Sequence, residues 1–351
     1  MSNNDVSLES LLAFWIKKNC SDIHISEWDN VAFRVHWELG KLTEAWIFTR
    51  EIVEKLVLEL FRWDQKKVAA FYDKKDADFA YVSKDWTPFR VNGYFKLWKI
   101  WFVLRKIERN AKNMDDLWLP PGLQKILTAK QGLFLITGPT GSGKSTTMVS
   151  ILDKINEERR EHVITIEDPI EFIFSDKNSI FSQREVGRDT ESFVSAIRAA
   201  MREDPDIVMV WEMRDKETVE AAMNLSETWH LVFSTLHTSG SVQTINRVIQ
   251  FFSPDIQNQV RVRLADTLLW VLSQRLIPRI DKEGRVWIHE LMYMTSWIKN
   301  LIKWWDLIQI NNNIEMWTAE WMITMKNSAD KLEQQWIVRK EDYMWYFMED
   351  Q

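Results

Sequence analysis

The chain has 351 residues, enough for two domains each with its own core. Its formal net charge of −6 lacks the basic excess of a dedicated nucleic-acid binder, so no nucleic-acid partner is expected. The single cysteine, Cys20, excludes an internal disulfide and a cysteine-built zinc site.

No apolar run approaches the roughly 18–20 residues of a bilayer span, so no membrane insertion is expected. Met1 to Glu9 is polar and acidic rather than basic and then apolar. The expectation is a soluble cytoplasmic protein. One composition figure is abnormal: tryptophan numbers 20 and glycine 10, whereas glycine alone ordinarily makes up about 7% of residues. Tyrosine at 6 and phenylalanine at 18 show no matching excess, so this is not general aromatic enrichment.

Residues 5–19 read as an amphipathic helix, with Leu8, Leu11, Leu12, Trp15 and Ile16 on one face. Alternating segments at 22–26 and 31–35 read as strands, separated by the turn-like Glu27-Trp28-Asp29-Asn30. Helices are expected at 50–61 and 64–71 and strands at 77–83, 88–95 and 100–107, which makes 1–107 a small α+β domain with an antiparallel sheet. The charged, doubly proline-marked stretch 108–121 reads as a linker. From 122 to 351 strands alternate with helices: strands at 132–137, 162–167, 207–211 and 230–235, helices at 144–158, 190–203, 215–228 and 255–264, then a helical tail after 295. That alternation is the signature of an α/β domain with a mostly parallel sheet.

Nine residues in this second part carry the clearest chemistry. Gly138-Pro139-Thr140-Gly141-Ser142-Gly143-Lys144-Ser145-Thr146 matches G-x-x-x-x-G-K-[ST] without a gap, after an apolar strand and before a helix. The glycines let successive N–H groups turn inward at a phosphate, with a helix N-terminus behind them. Lys144 is expected to reach the β- and γ-phosphates of ATP, and the Ser145 hydroxyl to complete a Mg²⁺ shell.

Further candidates follow at strand ends. Glu167, Asp168 and Glu171 form a carboxylate cluster after the strand 162–167, a place where ligands bind in open α/β sheets. Glu212 closes the apolar strand 207–211 and is placed to orient a water for attack on a γ-phosphate; an ion pair with Arg214 is the plainer reading. His230 and His237 flank one strand, and both are candidates for sensing phosphate or meeting a neighbouring subunit.

The segments GPTGSGKST, TIEDPIEF, the run Ala196–Asp215 and HLVFSTLHT resemble the Walker A, Asp box, Walker B and His box of the type II/IV secretion ATPase superfamily. Within it the chain most resembles the type IV pilus retraction ATPase family, over nearly its whole length. Residues 20–26 resemble that family's N-terminal strand signature, and Ile298–Ile302 its A-I-R-N-L-I motif, with Trp297 and Lys299 as departures. Extension and type II secretion ATPases are usually longer and often carry a tetracysteine module, which one cysteine cannot build.

The resemblance implies a PAS-like N-terminal domain, a RecA-like P-loop NTPase domain and a homo-hexamer. It also implies Glu212 as catalytic carboxylate, arginines of the N-terminal domain reaching the γ-phosphate (Arg90 and Arg105 by position), and a pilus inner-membrane platform protein as partner at the cytoplasmic face. A sister motor of the superfamily (accessory retraction, pilus assembly, type II secretion or DNA uptake) and a non-hydrolysing nucleotide-binding ring component are the competing readings.

The departures from the family pattern are nearly all tryptophans in glycine slots: Trp28, Trp37, Trp118, Trp211, Trp229, Trp270, the Trp304-Trp305 pair, Trp321 and Trp336. UGA is read as glycine in some genetic codes and as tryptophan in others, so two readings stand: UGA codons that mean glycine in the source cell, or a genuinely tryptophan-rich lineage.

Overall fold

The computed structural model describes residues 7–18, 20–35, 38–41, 48–109, 111–317 and 322–348. Trp37 and Trp321 therefore lie outside the described residues. The chain divides into two units, Met1–Arg109 with Glu171–Ile173, and Asn110–Ile170 with Phe174–Gln351.

The first unit is an α+β fold. It contains α1 (Leu8–Lys17), β1 (Asp22–Ser26), β2 (Ala32–Val35), β3 (Glu38–Lys41), α2 (Arg50–Leu60), α3 (Gln65–Lys74), β4 (Asp76–Val82), β5 (Pro88–Lys96) and β6 (Lys99–Lys106). Its six strands pair antiparallel in the order β3-β2-β1-β6-β5-β4. Helix α1 starts because the Ser7 hydroxyl accepts from Ser10 N in a capping box, and it stays because Leu8, Leu11, Leu12 and Trp15 all bury. Each such side chain contributes about 1.5–3 kcal/mol. Strand β3 was not foreseen, because Glu-Leu-Gly-Lys offers neither clean alternation nor β-branched residues.

The second unit holds a seven-stranded sheet in the order β13-β12-β7-β11-β10-β8-β9. In chain order it runs β7 (Gly132–Thr137), α4 (Lys144–Glu158), β8 (His162–Glu167), β9 (Ile180–Glu185), α5 (Phe193–Ala200), β10 (Ile207–Val210), α6 (Lys216–Glu227), β11 (Leu231–Leu236), α7 (Ser241–Gln250) and α8 (Gln257–Thr267). Then come β12 (Leu268–Pro278), β13 (Arg285–Tyr293), α9 (Ser296–Trp304), α10 (Ile308–Met316), α11 (Met325–Gln334) and α12 (Glu341–Met348). Strands β7 to β12 pair parallel, and β13 returns antiparallel on β12. Every residue of β7, β10 and β11 is buried; β7 and β10 accordingly read as near-continuous apolar runs, and β11 admits Ser234 and Thr235 because their hydroxyls donate to the Val210 and Trp211 carbonyls. The β12–β13 hairpin, β9 and α7 were missed. Strand β12 carries Ser273, Gln274 and Arg275 in its middle, which breaks the apolar run that marks a buried strand.

The backbone singles out the tryptophans. Among the described residues, the non-glycine positions with positive φ are Trp28, Trp63, Trp86, Trp98, Trp118, Trp229, Trp305 and Trp336, with Arg62, Lys75, Leu97 and Asp204. Trp305 and Trp336 sit where helices end in a Schellman arrangement: Trp305 N donates to Ile302 O and Asp306 N to Leu301 O, while Trp336 N donates to Glu333 O and Ile337 N to Leu332 O. Leu97 and Trp98 turn the β5–β6 hairpin with φ of 48° and 68°, the both-positive pattern of a type I′ turn. Trp211 and Trp270 differ: neither has positive φ, and Trp270 is buried in β12 against Phe134 and Tyr293.

A left-handed residue with a Cβ costs about 1–2 kcal/mol. Trp229, with φ of 67° and its ring 83% exposed, loses little packing when truncated. Trp229→Gly is therefore expected to stabilise the protein by about 1 kcal/mol, and Trp229→Ala, which keeps the Cβ, to leave the urea midpoint within error of the parent. Equal gains from both variants would show that backbone strain is not the cause.

Candidate functional site

The nine-residue loop leaves the C-terminal end of β7 and enters α4. Gly138, Gly141 and Gly143 have φ of 144°, 77° and 86°. A Cβ at Gly138 would overlap the Gln274 carbonyl and the Ser142 side chain, so this position has room only for glycine. Gly143 is the N-cap of α4 and supplies no side-chain cap. First-turn amides without such a cap are the donors that hold a phosphate at a helix N-terminus. The Lys144 ammonium donates to the carbonyls of Gly138 and Pro139 at 2.8 and 3.1 Å, which sets its charge along the loop.

The loop is anchored from β12 and β13. Gln274 Nε2 and Trp287 Nε1 both donate to the Ser142 carbonyl, at 2.8 and 3.1 Å. A chain of hydroxyls lies at its base: Ser273 and Thr137 share a hydrogen bond of 2.7 Å, and Thr238 and Thr244 another of 2.7 Å. None of these side chains was singled out from the sequence: Thr137 and Thr238 lie in segments noted for other reasons, while Thr244 of α7 and Ser273, Gln274 and Trp287 of β12 and β13 lie in elements that were not expected.

Glu212 follows β10, two strands from β7 at the same carboxyl edge. Its Oε2 accepts from Arg214 Nε at 2.7 Å, and its Oε1 lies 3.1 Å from His237 Nε2. The ion pair with Arg214 is thus present, and the His237 ring lies against the same carboxylate. The Arg214 guanidinium also reaches toward Asp168 at 4.0 Å. The peptide following Val210 is fixed on both sides, since Trp211 N donates to Ile166 O and the Thr235 hydroxyl donates to Trp211 O. Glu167 is buried, and its Oε1 accepts from the Thr165 hydroxyl at 2.7 Å and from Gln183 Nε2 at 3.0 Å.

Of the other candidates, one sits at the opposite edge of the sheet and three belong to the first unit. His230 precedes β11 at its opposite end, about 20 Å from His237 at strand rise. Its Nδ1 lies 3.1 Å from the Leu225 carbonyl, which fits a helix-end contact. The two histidines are therefore not brought together. Glu171 falls in the segment 171–173 that groups with the first unit. Arg90 and Arg105 are cross-strand partners on β5 and β6; Arg90 pairs with Asp78 at 2.8 Å and Arg105 with Asp22 at 2.7 Å.

His289 of β13, the cross-strand partner of Gln274, is wholly enclosed, and burial pushes its pKa down to about 3 from the usual 6.5. An unfolded chain takes up that proton near pH 6.5, whereas the folded chain refuses it until about 3. This contribution to stability is therefore complete above about pH 6.5 and lost as pH falls toward 3. His289→Gln is expected to flatten the fall in urea midpoint over that window; an unchanged pH profile would show that the imidazole does not set it.

A profile of the family described as "Type II/IV secretion system protein" matches residues 5–303. The chain is 36% identical over 341 residues to the Pseudomonas aeruginosa type IV pilus retraction ATPase PilT, covering 93% of this chain and 98% of that protein. It is also 36% identical over 308 residues to the twitching motility protein of Neisseria gonorrhoeae, covering 88% and 82%. Among solved structures, the pilus retraction motor PilT with bound ADP superposes with a TM-score of 0.90 at 38% identity, covering 97% of this chain and 96% of that one. The Legionella pneumophila ATPase DotB gives 0.81 at 25% identity, covering 99% and 98%. With these matches and the P-loop fold in place, the chain belongs to the type II/IV secretion ATPase family.

Proposed function

We propose that the chain is an ATPase motor that drives retraction of a type IV pilus, working as a homo-hexamer on the cytoplasmic face of an inner-membrane platform protein. The observation that carries the reading is the placement of Glu212 at the same sheet edge as the phosphate loop, in a chain alike in length and fold to a retraction motor that binds ADP. Among the described residues, no helix is long and apolar enough to cross a membrane, which fits a peripheral role.

The loop amides and the N-terminus of α4 hold the ATP phosphates, and Lys144 exchanges loop carbonyls for phosphate oxygens. Ser145 lies in the first turn of α4, and Glu167 and Asp168 end and follow β8 at the same edge of the sheet, so the donors this edge offers are oxygens, the type Mg²⁺ prefers, with the Ser145 hydroxyl the one that would hold the ion. Bound there, Mg²⁺ would neutralise charge on the phosphates. Glu212 orients the attacking water and accepts its proton, released from Arg214 and His237 as nucleotide enters. Arg90 and Arg105, presented side by side on one sheet, are suited to stabilise the transferring phosphoryl group from a neighbouring subunit.

Steady-state Mg-ATPase assays test this directly. Glu212→Gln is expected to lower kcat by a factor on the order of 100 while ADP binding persists, and Lys144→Ala to abolish both. Full turnover by Glu212→Gln would remove Glu212 from the reaction.

A further inference from the structure

We infer that the protein made in its own cell carries glycine at Trp28, Trp63, Trp86, Trp98, Trp118, Trp229, Trp305 and Trp336. Two independent properties converge at these positions. All eight have φ between 55° and 68°, where a Cβ is strained and glycine is not. Seven of the eight rings project into solvent: Trp305 packs against the core, and the others are 49% to 92% exposed. Indoles ordinarily bury, so at the seven exposed positions neither backbone nor packing selects tryptophan, and at Trp305 the backbone alone asks for glycine.

Each local motif asks for glycine instead: the Schellman C′ at Trp305 and Trp336, the slot just past α6 at Trp229 and the type I′ turn at Trp98. One cause accounts for the set and for the tryptophan-for-glycine imbalance in composition: UGA codons translated as glycine in the source cell and as tryptophan under another code.

Peptide mass spectrometry of the protein purified from its source cells, read beside the gene's codons, decides the matter. Peptides spanning the eight positions should each be lighter by the difference between an indolylmethyl group and a hydrogen, over UGA codons. Tryptophan in those peptides, or UGG codons at those positions, would overturn the inference.

A different observation carries a second inference, which rests on the nucleotide-site reading. Gln274 and His289 are directly opposed on β12 and β13, both buried. Gln274 Nε2 holds the Ser142 carbonyl, yet Gln274 Oε1, His289 Nε2 and Ser142 Oγ have no hydrogen-bond partner among the described residues. Orphaned polar atoms on a cross-strand pair and on the loop residue that pair holds are of the kind a buried water satisfies. We propose that Gln274 is a positioning residue for the phosphate loop, and that His289 braces it through one ordered water.

Calorimetric titration of the full chain with ADP tests this separately from turnover. Gln274→Leu and His289→Leu are expected to weaken ADP binding by about tenfold, and His289→Gln, which keeps a neutral donor, to restore it. Parental affinity in Gln274→Leu would overturn the brace alone, whereas failure of the unaltered chain to bind ADP would overturn the nucleotide site with it.

Discussion

The seating of the phosphate loop is the constraint on which the rest of the second unit depends. Three glycines give the loop a backbone that other residues reach only under strain, and such an arc keeps its shape only if its surroundings over-determine it. Here the Ser142 carbonyl takes two side-chain donors from the β12–β13 hairpin, and the hydroxyls of Thr137 and Ser273 tie β7 to β12 at the loop's base. The hairpin is therefore more than an edge to the sheet. It is the wall against which the loop is held.

The strand ends supply the charges. In the order β8-β10-β11-β7 the parallel sheet sets Glu167, Glu212, His237 and Gly138 along one edge. Backbone bonds crossing between strand ends, such as Gly138 N to Leu236 O and Met213 N to Thr235 O, fix that edge against sliding. The groups at this edge are in contact: Arg214 and the His237 ring both meet Glu212, and Arg214 leans toward Asp168. A polyanion entering beside this group changes the field on every member, which links nucleotide occupancy to the position of Glu212 without any long-range pathway.

Much of this was legible in the sequence, for physical reasons that differ by element. The phosphate loop could be read because its chemistry is local, with nine consecutive residues carrying glycines, lysine and hydroxyl at fixed spacing. Strands β7, β10 and β11 could be read because burial on both faces demands mostly apolar runs, here Leu133–Ile136, Ile207–Val210 and Leu231–Phe233. Gln274 and His289 could not, since their importance arises from register between two strands and not from any pattern along one. His230 was misplaced beside the site because a strand flanked by two histidines looks symmetric in sequence, while in a parallel sheet its two ends face opposite edges. The tryptophans show the reverse case: composition raised the anomaly, and the backbone angles divided the left-handed positions from Trp211 and Trp270.

The most direct test of the account is a crystal structure of the full chain with Mg²⁺ and a non-hydrolysable ATP analogue. The analogue's phosphates are expected on the amides of residues 138–146, with Lys144 Nζ bonded to phosphate in place of the Gly138 and Pro139 carbonyls and Glu212 turned from Arg214 toward the γ-phosphate. An analogue bound elsewhere, or Glu212 still held by Arg214 and His237 with the loop filled, would contradict it.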